Sequence, residues 1–214
     1  MMELSKYKND GWGLSNQEFT DILDIINKHD KDILKVAEFG SGISTQFFVD
    51  VVDEGIKNLS IDSFDDNPTY AFKGTHKDLN LMIRPLVECT DESYNKMFKS
   101  KSYDKKLMND KVSPLHSRQK NNFYDIKKND LNGIYDLMIL DGPNGNGRNI
   151  SYLHMKKHLG VGSFVLIDDY THYDFVDKFL MFFDAEKIYG NNSGSKDQWN
   201  NGGDYEIYKI IKIK

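Results

Sequence analysis

Three aspartates, Asp141, Asp168 and Asp169, follow directly on two apolar runs, Ile134–Leu140 and Val161–Ile167. Neighbouring parallel strands lie about 4.8 Å apart, so on such strands the three carboxylates converge. Converging carboxylates repel one another and raise one another's pKa. A hard divalent cation such as Mg²⁺ relieves the repulsion, since it takes oxygen ligands and keeps several waters. Alternatively, Asp168 or Asp169 caps the following helix, near Thr171 and His172. A second chemistry-bearing stretch lies upstream, at Glu38-Phe-Gly-Ser-Gly-Ile-Ser-Thr45. Gly40 and Gly42 let a ligand approach the main chain. The helix N-terminus expected after them offers unpaired N–H groups and a positive dipole end. Asp62 lies 22 residues beyond Gly40, the offset at which an acid reaches ribose hydroxyls in dinucleotide folds. The alternative for Asp62, as for Glu38, is an acid with a purely structural place beside a strand.

These residues need elements to carry them. Ser15 and Glu18 make a capping box for a helix whose apolar face is Phe19, Ile22, Leu23, Ile25 and Ile26. Strands are predicted at Ile33–Phe39, Leu59–Asp62, Leu81–Val87, Ile134–Leu140, Val161–Ile167 and Tyr205–Ile213. Pro85 marks the third of these as irregular or at an edge. Helices are predicted from Phe47 to about Gly55, from Asn149 to Leu159 and over Phe175–Phe183. Strands alternating with helices give an α/β fold with a mainly parallel sheet. Ligands of such sheets sit at the carboxyl ends of the strands. There the sequence reads Glu38, Asp62-Ser63, Glu88-Cys89, Asp141 and Asp168-Asp169. That acidic collar disfavours a phosphate-rich nucleotide and suits a cofactor with a cationic centre and ribose hydroxyls.

Together these motifs resemble the class I S-adenosylmethionine-dependent methyltransferases over roughly residues 15–214. The resemblance implies a Rossmann-like fold, with a mainly parallel seven-stranded sheet, helices on both faces and one antiparallel strand near the C-terminus. It places the amino-acid part of the cofactor against the turn of Glu38, Gly40, Ser41, Gly42 and Thr45, its ribose on Asp62 and its adenine beside Glu88 and Cys89, with Ser63 and Asp141 also among the cofactor-binding residues. Ile167-Asp-Asp-Tyr170 is similar to the metal-dependent O-methyltransferases of the macrocin type, which act on antibiotic sugars. That likeness implies Mg²⁺ on Asp141, Asp168 and Asp169. Asn144 stands where the catechol-type relatives carry a lysine base. Asp141-Gly-Pro-Asn-Gly-Asn-Gly-Arg148 is similar to the DGP-G motif of glucuronoxylan methyltransferases. Both likenesses point to a sugar hydroxyl as acceptor, with Asp141 and His172 as candidate bases and His116 and His154 behind them. A nicotinamide-dependent oxidoreductase is a second reading, disfavoured by Thr45 where the third glycine of G-x-G-x-x-G would stand. A non-catalytic binding module with a methyltransferase-like fold is a third.

The totals set outer limits. The chain has 214 residues, enough for one domain with a sizeable core. A net charge of −5 argues against nucleic acid. Cys89 is the only cysteine, which excludes an internal disulfide. No run approaches the apolar length that crosses a membrane, and the first residues lack the h-region of a secretory signal. A cytoplasmic protein with a small-molecule acceptor is expected, and a homo-oligomer is left open. Residues 96–128 hold ten Lys or Arg against three Asp. They read as a basic insertion, either a lid attracting an anionic acceptor such as a uronate or a solvated loop.

Overall fold

The strands form where β-branched, aromatic and leucine residues alternate or run unbroken. They are β1 (Ile33–Phe39), β2 (Asn58–Asp65), β3 (Leu79–Ile83), β4 (Leu86–Glu88), β5 (Asn122–Tyr124), β6 (Tyr135–Leu140), β7 (Leu159–Asp168), β8 (Phe183–Asn191) and β9 (Tyr205–Ile213). The helices are α1 (Asn16–Lys28), α2 (Ile43–Asp53), α3 (Asp91–Ser100), α4 (Ile150–Met155) and α5 (Phe175–Leu180). This computed structural model describes residues 2–7, 13–109, 121–191 and 204–214. The expected features at Gly11-Trp12, His116, Trp199 and the middle of the basic segment lie outside them.

Seven strands make one sheet in the order β3-β2-β1-β6-β7-β9-β8. β9 runs antiparallel to both of its neighbours, and every other pairing in that sheet is parallel. The expected mainly parallel seven-stranded α/β sheet with one antiparallel strand near the C-terminus is therefore present. The chain steps outward from β1 to β3, then returns on the other side of β1 as β6. That reversal opens a crevice at the carboxyl ends of β1 and β6, where open α/β sheets bind ligands.

Alternation along β1 builds two cores. Leu34 and Val36 pack with α1 and α2, through Phe19, Ile22, Phe47 and Phe48. Ala37 and Phe39 face the other way and pack with α3, α4 and α5, through Met97, Phe98, Ile150 and Phe179. The capping box at Ser15 and Glu18 is formed as expected, and it starts α1.

Two expectations need correction. The stretch 81–87 is not one strand. β3 ends at Ile83, and after Arg84-Pro85 the chain leaves the main sheet. β4 then pairs antiparallel with β5 in a separate two-stranded ribbon. Proline cannot donate to a ladder, so the break falls there. The basic segment is also not a simple insertion over the surface. Its ends contribute Met97, Phe98, Met108, Phe123 and Tyr124 to the core. Lys105 and Lys127 both pair with Asp125, and Lys101 donates to the Met181 carbonyl.

Candidate active site

The crevice begins at the glycine turn. Gly40 has φ +101°, a conformation open to glycine at no steric cost. A Cβ there would meet the Gly142 nitrogen at 2.9 Å. The ends of β1 and β6 therefore touch backbone to backbone. Gly42 is extended, and nothing lies within 4 Å of where its Cβ would be, so the turn presents open space there. The Ser41 N–H donates to Asp65 (3.1 Å) and the Gly42 N–H to the Thr45 hydroxyl (3.1 Å).

Below the turn, Glu38 is fully buried and accepts from the hydroxyls of Thr45 (2.6 Å) and Ser63 (2.5 Å). Burial pushes the Glu38 carboxyl up to about 7, and hydrogen bonds from Ser44, Ser63 and Thr45 oppose the rise. Glu38, Thr45 and Ser63 were expected to touch the cofactor. All three have no exposed surface, so they form the layer that holds the turn.

Asp62 is the clearest displacement from expectation. β2 continues through Ser63 and Phe64, so Asp62 lies mid-strand opposite Ala37. It accepts from Tyr135 (2.7 Å) and Asn80 (2.8 Å), with Lys35 at 3.7 Å. The rim acid is Asp65, three residues or about 10 Å further along the strand. Asp65 accepts from the Ser41 and Asn67 N–H groups, and burial raises its pKa. The apolar alternation of Leu59 and Ile61 breaks at Ser63 and Phe64, so periodicity gives no signal that β2 continues to Asp65. Glu88 is also elsewhere. It sits on β4, bonded through its backbone to Asn109, and not at the end of β3.

On the other side of the turn, Asp141, Asp168 and Asp169 do converge, around a cation supplied by the chain. Arg148 is buried. Its Nη2 lies 3.8 Å from Asp141 and 3.5 Å from Asp169, Nη1 donates to the Asp168 carbonyl (3.2 Å) and Nε to the Pro143 carbonyl (2.8 Å). Burial pushes Asp141 up to about 6, and Arg148 opposes the rise. Burial and the neighbouring Asp141 and Asp169 hold Asp168 well above the ordinary carboxylate range, and Arg148 opposes the rise. Behind Asp168 stands Glu18, whose pKa is likewise well raised, by burial and then by Asp168. The sequence disclosed Glu18 only as a capping residue and gave Arg148 no role.

The expected Mg²⁺ site does not fit this arrangement. Among the described residues no three His, Cys, Asp or Glu side chains are placed to hold a metal ion. Arg148 supplies a compensating charge, and burial raises the pKa values of Asp168 and Glu18 beside it. His172 is half-exposed, with Nδ1 3.7 Å from Asp169 and its backbone N–H on the Asp169 carbonyl. His154 is buried against Tyr103 and Phe123, and burial depresses it to about 3. It is a neutral core residue.

The floor of the crevice comes from β5. The Tyr124 ring is buried, 6.3 Å from Phe39 and 6.5 Å from Phe64 in stacked geometry. Its hydroxyl lies 2.6 Å from the position of a Cβ on Gly142, and a Cβ on Gly147 would lie 1.8 Å from the Asn122 carbonyl oxygen. Gly142 and Gly147 are thus required by the packing of β5.

No protein-family model matches the sequence, and no curated protein is similar to it. Solved structures with some likeness include the SAH-bound Podospora anserina methyltransferase PaMTH1, 14% identical, covering 99% of this chain and 83% of that one at TM-score 0.48. A CmcI structure with SAH is 13% identical over 92% and 77% of the two chains at TM-score 0.49. An rRNA methylase from Streptococcus thermophilus is 11% identical over 92% and 96% at TM-score 0.46. At these identities and TM-scores the likenesses assign neither the fold nor an activity.

Proposed function

We propose that the chain is an S-adenosylmethionine-dependent O-methyltransferase acting on a hydroxyl of a small molecule, with a sugar-containing acceptor as the leading class. The observation that carries this reading is the pairing of an open glycine turn with carboxylates on both sides of it, at the reversal point of the sheet. Asp65 flanks the turn towards β2, and Asp141 flanks it towards β7. A ribose diol suits Asp65, and a sulfonium suits a rim that is otherwise acidic. The diphosphate of a nicotinamide cofactor suits neither, since Arg148 is buried and already engaged. The sugar acceptor rests on the likeness of Ile167-Asp-Asp-Tyr170 and of the Asp141–Arg148 run to sugar O-methyltransferases.

When bound, S-adenosylmethionine supplies an electrophilic methyl group. The residues of this chain do the rest. Gly40 and Gly42 shape the turn, and Asp65 accepts from the ribose. Asp141 takes the proton of the acceptor hydroxyl, a role suited to a base with its pKa near the working pH. Arg148, close to Asp141, stabilises its ionised form. No step runs through a metal.

Calorimetry with S-adenosylmethionine and with NAD, each with and without Mg²⁺, tests the reading. S-adenosylmethionine alone should bind, without dependence on Mg²⁺. Asp65→Asn should weaken it at least tenfold, while Asp62→Asn should change its affinity by less than about threefold; a loss of a tenfold factor is about 1.4 kcal/mol. Binding of NAD instead, or of neither cofactor, removes the proposal.

A further inference from the structure

The hydroxyl of Tyr124 is a polar group on the floor of the crevice. The ring is 1% exposed and fixed by its stacking on Phe39 and Phe64 and by its contact with Phe123. Antiparallel pairing of Tyr124 with Leu86 fixes its backbone. The hydroxyl rests against Gly142, which itself touches Gly40. It therefore lies where the ends of β1 and β6 meet. Asp65, Asp66, Arg148 and Asp141 lie near enough for their charges to act on it. Those groups ring the crevice. Among the described residues no group hydrogen-bonds to this hydroxyl, although buried phenols ordinarily find a partner. A rigid, buried and unpartnered hydroxyl beside Asp65 is preorganised for a ligand atom.

We infer that the Tyr124 hydroxyl and the Asp65 carboxylate together grip the ribose of the methyl donor. The inference rests on the proposed function and adds to it a second contact, contributed by the β4–β5 ribbon that lies outside the main sheet. Asp65, an acceptor, takes a hydrogen bond from one ribose hydroxyl, and the Tyr124 hydroxyl bonds to the adjacent one. The bond suits the neutral phenol, which burial and the surrounding acids keep protonated.

The test is calorimetry of wild type and Tyr124→Phe with S-adenosylhomocysteine and with its 2′-deoxy and 3′-deoxy analogues. Tyr124→Phe should weaken S-adenosylhomocysteine by about tenfold, the scale of one lost hydrogen bond. One deoxy analogue should lose a similar factor with wild type and nothing further with Tyr124→Phe, because the two changes remove the same bond. The free variant should melt at or above the wild-type temperature, since the hydroxyl has no protein partner to lose. Undiminished affinity in Tyr124→Phe, or an equal loss for all three ligands, overturns the inference and leaves the proposed function standing. A lowered melting temperature of the free variant also overturns it, by showing that the hydroxyl is bonded within the protein. Failure of wild type to bind S-adenosylhomocysteine at all overturns both.

Discussion

At the scale of single residues, charge compensation is the organising fact. The carboxylates of Asp141 and Asp169 share one guanidinium, that of Arg148, which also reaches the Asp168 carbonyl. Removing one partner of a buried ion pair costs roughly 3–5 kcal/mol, because the remaining charge is left uncompensated. Arg148→Met should lose about that much stability at pH 8 in urea denaturation. The loss should be smaller at pH 5, where more of the carboxyls carry protons. An equal loss at both pH values would show that Arg148 acts through packing alone. Glu38 gives a second, separable pH effect. Its folded pKa of about 7 lies above its ordinary 4.5, so the folded chain holds an extra proton between those values. This stabilises the fold fully below about pH 4.5, and the contribution is lost as pH rises through about 7. A shift of this size corresponds to about 3 kcal/mol. Glu38→Gln should flatten the stability–pH profile between pH 5 and 7, measured from urea midpoints.

At the scale of elements, the glycine turn and the β4–β5 ribbon build the crevice, and their glycines have different purposes. Gly42 faces open space, whereas Gly147 is pressed against the Asn122 backbone. Gly147→Ala must therefore push β5 away. It should cost about 3 kcal/mol, at the upper end for an overpacked site. Gly42→Ala should leave the melting temperature within a few degrees of wild type and still weaken S-adenosylmethionine, since its methyl enters ligand space. Calorimetry and thermal melts on the pair separate the two purposes, and equal melting temperatures for both variants would contradict them. The ribbon itself was hidden in the sequence. Pro85 announced an irregularity, but β4 and β5 are three residues each and their pairing spans more than thirty residues. Strands that short carry no periodicity of their own.

At the scale of the whole molecule, one sheet separates two cores, and every strand pairing from β3 to β8 ties them together. Phe19 belongs to the core under α1 and α2, and Phe179 to the core under α5. Because both cores rest on the same strands, residues 1–214 are proposed to unfold as one domain. Phe19→Ala and Phe179→Ala should each cost about 3–5 kcal/mol. Each should lower one shared urea midpoint, with far- and near-ultraviolet circular dichroism tracing the same transition. Two separate transitions in either variant would divide the chain into two units. Among the described residues no helix is long and apolar enough to cross a membrane.

The alternation of strand and helix, the capping box at Ser15, the glycine turn and the acids after β6 and β7 were legible in the sequence, because each is a local pattern set by backbone geometry and periodicity. The single antiparallel strand near the C-terminus was legible through resemblance. Other features depended on register and on distant approach. A strand reading three residues too short moved the rim acid from Asp65 to Asp62, since periodicity marks a strand's face and not its end. Convergence of Asp141, Asp168 and Asp169 followed from adjacent strands, but the charge that answers them did not. Arg148 supplies it only because the run after Asp141 folds back under β7, and Glu18 joins only because α1 begins there. Tyr124 reaches the crevice from a ribbon closed by long-range pairing. Local sequence determined which groups stand at the strand ends, and tertiary packing decided which of them face one another.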